Sequence, residues 1–123
     1  MIKIKSNKII VGESLFDGYV YVANGKIVEV SKENKLADIE YDYTGKYVSA
    51  GFIDMHTHGA GGYAFMNSSV EDVVKGCDYH LWHGTTSIVP TISAGEFWTM
   101  KQAVVNIHNA KGKTKGNILG AHL

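Results

Sequence analysis

His56 and His58 stand two residues apart at the end of a short apolar run, Gly51-Phe52-Ile53-Asp54-Met55-His56-Thr57-His58-Gly59. Successive strand side chains point to opposite faces, so both imidazoles share one face, with Asp54 one step deeper. Neutral imidazole is a standard ligand for divalent transition metals, and two at a strand end can converge on one ion. The chemistry on offer is metal-assisted hydrolysis. His-x-His alone is a frequent pattern, and its surroundings strengthen it here. The apolar strand gives way to Gly59, Gly61 and Gly62, which suit a loop whose amides approach a substrate, or simply a sharp turn. Asp54 reads either as a carboxylate that orients an imidazole or as an ordinary hydrogen-bonded strand residue.

The remaining candidates carry less. His122 ends a later apolar segment, where it lines the same site or packs within an interrupted strand. His80 and His83 fall in the last turn of a helix and His108 near the end of another, which favours a surface role beside the negative end of the dipole. Cys77 lies on an apolar helical stripe and reads as a small buried hydrophobe. Trp82 and Trp98 flank helical segments and are expected to pack.

Two kinds of element must hold these residues. Residues 1–49 read as all-β. Ile2 and Ile4 alternate with lysines, Ser6-Asn7 offers a turn, and Ile9-Ile10-Val11 forms a second short run. Tyr19–Val22 and Lys26–Val30 flank Asn24-Gly25, a strong hairpin signal because both turn residues tolerate positive φ. A charged loop from Ser31 to Asp38 follows, then Ile39 to Tyr43, a Thr44-Gly45 turn, and Tyr47 to Ser49. Short antiparallel strands of this kind suit part of a small β-sandwich.

From residue 50 to 123 the hydrophobic period alternates between two and 3.6. Phe52 to His56 is a strand. Ser68 or Ser69 caps a helix, with Glu71 or Asp72 completing a capping box. Val70, Val73, Val74, Cys77 and Leu81 share one face of that helix, and Gly84 ends it. Thr86 to Val89 is a buried strand stopped by Pro90. A second helix from about Gly95 to Lys111 turns Phe97, Met100, Val104 and Ile107 inward, and Asn117 to His122 is a third strand. The strand-helix-strand-helix-strand order implies α/β architecture with a parallel sheet and right-handed crossovers. Ending inside an apolar strand, the chain reads as the front of a longer protein, cut within its catalytic domain.

Composition narrows the function classes. The 123 residues are 45% hydrophobic, with twelve basic and twelve acidic side chains and no net charge. No electrostatic footprint for nucleic acid or a membrane surface is present. No apolar run is long enough to span a bilayer, and the start Met1-Ile2-Lys3-Ile4-Lys5 is not a signal peptide. One cysteine precludes a disulfide within the chain and points to a reducing cytoplasm.

Together these segments resemble the start of the amidohydrolase superfamily, and within it the N-acetylglucosamine-6-phosphate deacetylase family. Lys8-Ile9-Ile10, Gly18-Tyr19-Val20 and Asn24-Gly25-Lys26-Ile27 resemble the superfamily's β-sandwich lead-in. Gly51 to Gly59 resembles its first barrel strand. The narrower family is suggested by Gly61-Gly62 with Phe65-Met66-Asn67, and by Gly84-Thr85-Thr86-Ser87-Ile88-Val89-Pro90-Thr91. The ending Ile118-Leu119-Gly120-Ala121-His122-Leu123 is similar to the run that leads into Glu-Gly-Pro in the family. Ala50 departs from the pattern, since proline usually precedes Gly-Phe there.

The resemblance implies a truncated architecture: 1–49 as part of a β-sandwich, and 50–123 as the first three strands and two helices of a (β/α)8 barrel. It implies one or two divalent metal ions, zinc or iron, with His56 and His58 as ligands and further ligands beyond Leu123. The catalytic aspartate is also expected there, so no catalytic residue lies in this chain. The implied substrate is a small amino-sugar phosphate, N-acetylglucosamine 6-phosphate, cleaved to glucosamine 6-phosphate and acetate; separately, exposed strand edges lead to the expectation of a homodimer. The fragment alone is expected to be inactive. Two alternatives stand beside this: a dihydroorotase-like or hydantoinase-like cyclic amidase, and a non-catalytic β-rich interaction or assembly module.

Overall fold

The computed structural model describes residues 1–123, which fall into two units, Met1–Ala50 and Gly51–Leu123. In the first, β1 (Ile2–Val11), β2 (Ser14–Ala23), β3 (Lys26–Ser31), β4 (Ile39–Asp42) and β5 (Tyr47–Val48) build one sheet of order β3-β2-β1-β4, with β5 also on β1. Asn24 and Gly25 take φ of 51° and 72°, as a two-residue hairpin requires. They join β2 to β3 with Ala23 opposite Lys26.

Two features depart from the sequence reading. Ser6-Asn7 is no turn: β1 continues through it, with a register shift between Ser6 and Ile9. The buried Ser6 hydroxyl donates to the Lys46 carbonyl at 2.6 Å and accepts from the Lys8 amide at 2.9 Å. It thereby satisfies backbone groups that the irregular ladder would leave unpaired. Second, β4 and β5 pair with β1 in parallel, because the charged loop carries the chain back to the start of β1. The five strands form a single layer.

Few apolar side chains are buried in this unit, chiefly Ile9, Val20 and Tyr21. Polar contacts supplement them. The Tyr21 hydroxyl donates to the Glu33 carbonyl at 2.7 Å and accepts from the Lys35 amide at 2.8 Å, pinning the charged loop. Lys3 is buried too, with its ammonium 2.7 Å from both Glu40 and Asn34. A buried cation is tolerated only when paired in this way.

The second unit runs β6 (Phe52–Thr57), β7 (Gly59–Ala60), β8 (Tyr63–Ala64), α1 (Val70–Trp82), β9 (Thr85–Pro90), α2 (Phe97–Ala110) and β10 (Asn117–Ile118). Strands β6, β9 and β10 form a parallel sheet of order β10-β9-β6. Ser69 caps α1, its hydroxyl accepting from the Asp72 amide at 3.1 Å. Gly84, just past the helix, takes φ of 97°. Val73 and Cys77 of α1 meet Ala103, Ile107 and Ala110 of α2 in one core with Phe65, Ile88, Ile92 and Ile118. No helix is long and apolar enough to cross a membrane.

The expected packing fails at three aromatic residues. Trp82, Trp98 and Phe97 are 81%, 70% and 68% exposed. Trp82 follows buried Val73 by nine residues and Trp98 precedes buried Ile107 by nine. Nine residues are about two and a half helical turns, so both indoles point away from the core. Phe97 instead lies edge-on to Trp98, with ring centroids 5.1 Å apart.

The strand ends differ as well. Pro90 belongs to β9 rather than stopping it, because proline lacks only the donor and its carbonyl accepts from the His122 amide at 3.0 Å. The third strand is shorter than expected. It ends at Ile118, the segment through Gly120 and Ala121 leaves the ladder, and pairing resumes only as a bridge between Thr91 and His122.

Candidate functional site

The C-terminal end of β6 is anchored before the histidines appear. Asp54 lies opposite Ile88 and Thr57 opposite Pro90, so β6 carries an extra residue between them relative to β9. Such bulges redirect side chains near sites. The Asp54 carboxylate accepts from the His56 main-chain amide at 3.0 Å, so it shapes this backbone and meets no imidazole. Thr57 is held from two sides. Its amide donates to the buried Thr91 hydroxyl at 3.0 Å and its carbonyl accepts from the Thr91 amide at 2.8 Å.

On this support the rings of His56 and His58 lie with centroids 5.5 Å apart, both exposed. His122, arriving from beyond β10, stands edge-on to His56 at 4.6 Å. Its Nδ1 donates to the Met55 carbonyl at 3.2 Å. Ser93, just past β9, has its hydroxyl 3.1 Å from Nδ1 of His58. Three imidazoles from the ends of two strand lines therefore meet in one place. As they stand, no three His, Cys, Asp or Glu side chains are grouped closely enough to hold a metal ion.

The glycines have a structural task. Gly61 and Gly62, with φ of 61° and 87°, turn the chain between β7 and β8. A side chain at Gly59 would place its Cβ 2.1 Å from the Tyr63 carbonyl oxygen, so the hairpin closes only with glycine there. The Phe65 amide donates to the His58 carbonyl at 3.0 Å and ties this hairpin to the pair. A shallow depression beside His58 is lined by Gly59, Ala60, Gly62 and Tyr63.

His80 does more than the sequence suggested. Its Nε2 lies 3.3 Å from the Thr57 hydroxyl, linking the last turn of α1 to the strand end between the two histidines. His83 is exposed, with Nδ1 2.9 Å from the Tyr79 carbonyl, and His108 is exposed as well. Cys77 is buried, and desolvation, with a smaller contribution from Asp78, pushes its thiol up to about 12. It is an inert core side chain at neutral pH.

Thr91 and Ser93 escaped the sequence reading. A signal for them existed: they follow β9 at the same two-residue spacing with which His56 and His58 close β6. Hydroxyl residues in that position are common, and only the fold brings them against the histidines.

No protein-family model matches the chain. An N-acetylglucosamine-6-phosphate deacetylase of Caenorhabditis elegans is 32% identical over 117 residues, a match covering 85% of this chain and 28% of that relative. A 5-methylthioadenosine/S-adenosylhomocysteine deaminase of Thermococcus onnurineus is 45% identical over 60 residues, covering 46% of this chain and 14% of that relative. The crystal structure of N-acetylglucosamine-6-phosphate deacetylase from Pasteurella multocida matches at TM-score 0.86 and 26% identity, over 98% of this chain and 33% of its own. The chain thus spans about a third or less of the length of these proteins. Agreement in sequence and in fold makes it a relative of the N-acetylglucosamine-6-phosphate deacetylases.

Proposed function

We propose that these residues are the N-terminal part of a metal-dependent deacetylase. It hydrolyses N-acetylglucosamine 6-phosphate to glucosamine 6-phosphate and acetate. The observation that carries this reading is the meeting of His56 and His58 at the anchored end of β6, in a chain related to deacetylases of that name. Two 5-methylthioadenosine/S-adenosylhomocysteine deaminases match over 46% and 72% of the chain, against 85% for the deacetylase, and the longer deacetylase match favours amide over amidine chemistry.

The donor set fits a divalent transition metal in part. Two exposed imidazoles are suitable ligands, but an open catalytic zinc site takes three protein ligands, and no third His, Cys, Asp or Glu is grouped with them. On this reading His56 and His58 hold one face of a zinc or iron centre, and the remaining donors and the general base come from outside the 123 residues. A bound divalent ion supplies polarisation of the acetamide carbonyl and a lowered pKa for water. The contribution of this chain is to fix the two imidazoles on a braced strand end. The sheet of 1–49 is then one layer of a sandwich, and β6, β9 and β10 are the first three strands of a (β/α)8 barrel. On this reading the exposed Phe52, Ile53 and Met55 of edge strand β6 are covered by the rest of the barrel, and the full-length enzyme is a homodimer. The unpaired Cys77 suits a reducing cytoplasm.

The test is deacetylation of N-acetylglucosamine 6-phosphate by the full-length product of the reading frame, with defined metals. Its His56→Ala, His58→Ala double variant and the 123-residue chain are assayed beside it. Activity confined to the intact full-length protein is expected. A folded, metal-replete protein inert on this substrate overturns the assignment and moves attention to cyclic amides.

A further inference from the structure

Each histidine of the pair has a partner from another segment, and the two partners act in different ways. We propose that Ser93 and His122 are the positioning residues of the imidazole pair, one for each ring. The inference rests on the metal-binding reading of His56 and His58 and extends it to the groups that orient them.

A carbonyl oxygen can only accept. Because Nδ1 of His122 lies 3.2 Å from the Met55 carbonyl, it carries the proton, and the ring is fixed in tautomer and rotation. That fixed ring meets His56 at 4.6 Å and 64°, an edge-to-face contact that restricts rotation of the His56 ring. Ser93 serves His58 by a hydrogen bond. The Ser93 hydroxyl lies 3.1 Å from Nδ1 of His58 and can donate or accept; metal binding requires it to accept, which leaves the Nε2 lone pair for an ion. Both partners are themselves held. The amide of buried Ile92, next to Ser93, donates to the His122 carbonyl at 2.9 Å, and the His122 amide donates to the Pro90 carbonyl at 3.0 Å. The segments after β9 and β10 therefore lock each other beside the end of β6.

Two measurements on the full-length product of the reading frame, prepared free of metal, test this. Long-range proton–nitrogen NMR reports the tautomer of each ring, and calorimetric titration with zinc alone reports affinity. His58 and His122 are expected as the Nδ1–H forms. Ser93→Ala should mix the tautomers of His58 and weaken zinc binding roughly 10-fold, whereas Ser93→Thr, which keeps the hydroxyl, should restore both. His122→Ala should weaken binding similarly, while His122→Phe, which keeps an aromatic edge against His56, should largely preserve it. Equal losses from His122→Phe and His122→Ala would make His122 a ligand and overturn its positioning role. Unchanged tautomers and affinity in folded Ser93→Ala would overturn that of Ser93. Should His56→Ala, His58→Ala bind zinc as the parent does, the reading of the pair itself fails. The tautomer measurement decides the Ser93 and His122 assignments with no metal present.

Discussion

Asp42, at the end of β4, shows how much one exposed side chain gathers. Its carboxylate accepts from the Thr44 hydroxyl, from the Thr44 amide at 2.8 Å, and from the Lys5 ammonium at 3.2 Å. These bonds, Thr44 foremost, pull its pKa from the ordinary 3.8 down to about 2. A carboxylate depressed on folding stabilises the native state above its unfolded pKa, and that contribution is lost as pH falls through the folded value. Denaturant titrations should therefore show stability falling between 3.8 and about 2, and Asp42→Asn should flatten that part of the acid limb. An unchanged acid limb would count against the Thr44 contacts. At the same scale, strand alternation made His56 and His58 legible as a pair. Ser93 was not, because it meets His58 across 35 residues.

Helix α1 illustrates what an element inherits from short-range rules. Ser69 lies just before the apolar periodicity begins, and its hydroxyl takes up one of the free amides of the first turn. Acidic Glu71 and Asp72 sit in that turn, where they complement the positive end of the dipole. Ser69→Ala should cost about 1 kcal/mol in chemical denaturation, with Ser69→Asp close to the parent. The helix periods and the Asn24-Gly25 hairpin could be read because propensity and turn chemistry act within a few residues. Strand β10 could not be bounded that way. Asn117 to His122 has a continuous strand-like composition, yet pairing breaks at Gly120 and Ala121, and what resumes it is the bridge from Thr91 to His122.

At the scale of the molecule, stability of the second unit should depend on side chains that the helices turn toward the sheet. Ile107 is 1% exposed within the core, while Trp98, a larger side chain on the same helix, is 70% exposed. Ile107→Ala should cost about 2–5 kcal/mol, whereas Trp98→Ala should stay within about 0.5 kcal/mol. Thermal or denaturant unfolding of the two variants checks the contrast, and equal losses would mean that Trp98 is covered in solution. Hydrophobicity alone ranks these residues in the wrong order, since it carries no information about which helical face meets the sheet. By itself the sequence determined the features that local sterics enforce: the hairpin with two positive φ angles, the Ser69 cap of α1, and two imidazoles at the end of an apolar strand. Tertiary structure alone decided the parallel pairing of β4 and β5, the exposure of the tryptophans, and the arrival of Ser93 and His122 beside the pair. Those contacts join residues 35 and 67 positions apart, and such encounters follow from the packing of whole elements rather than from any local preference.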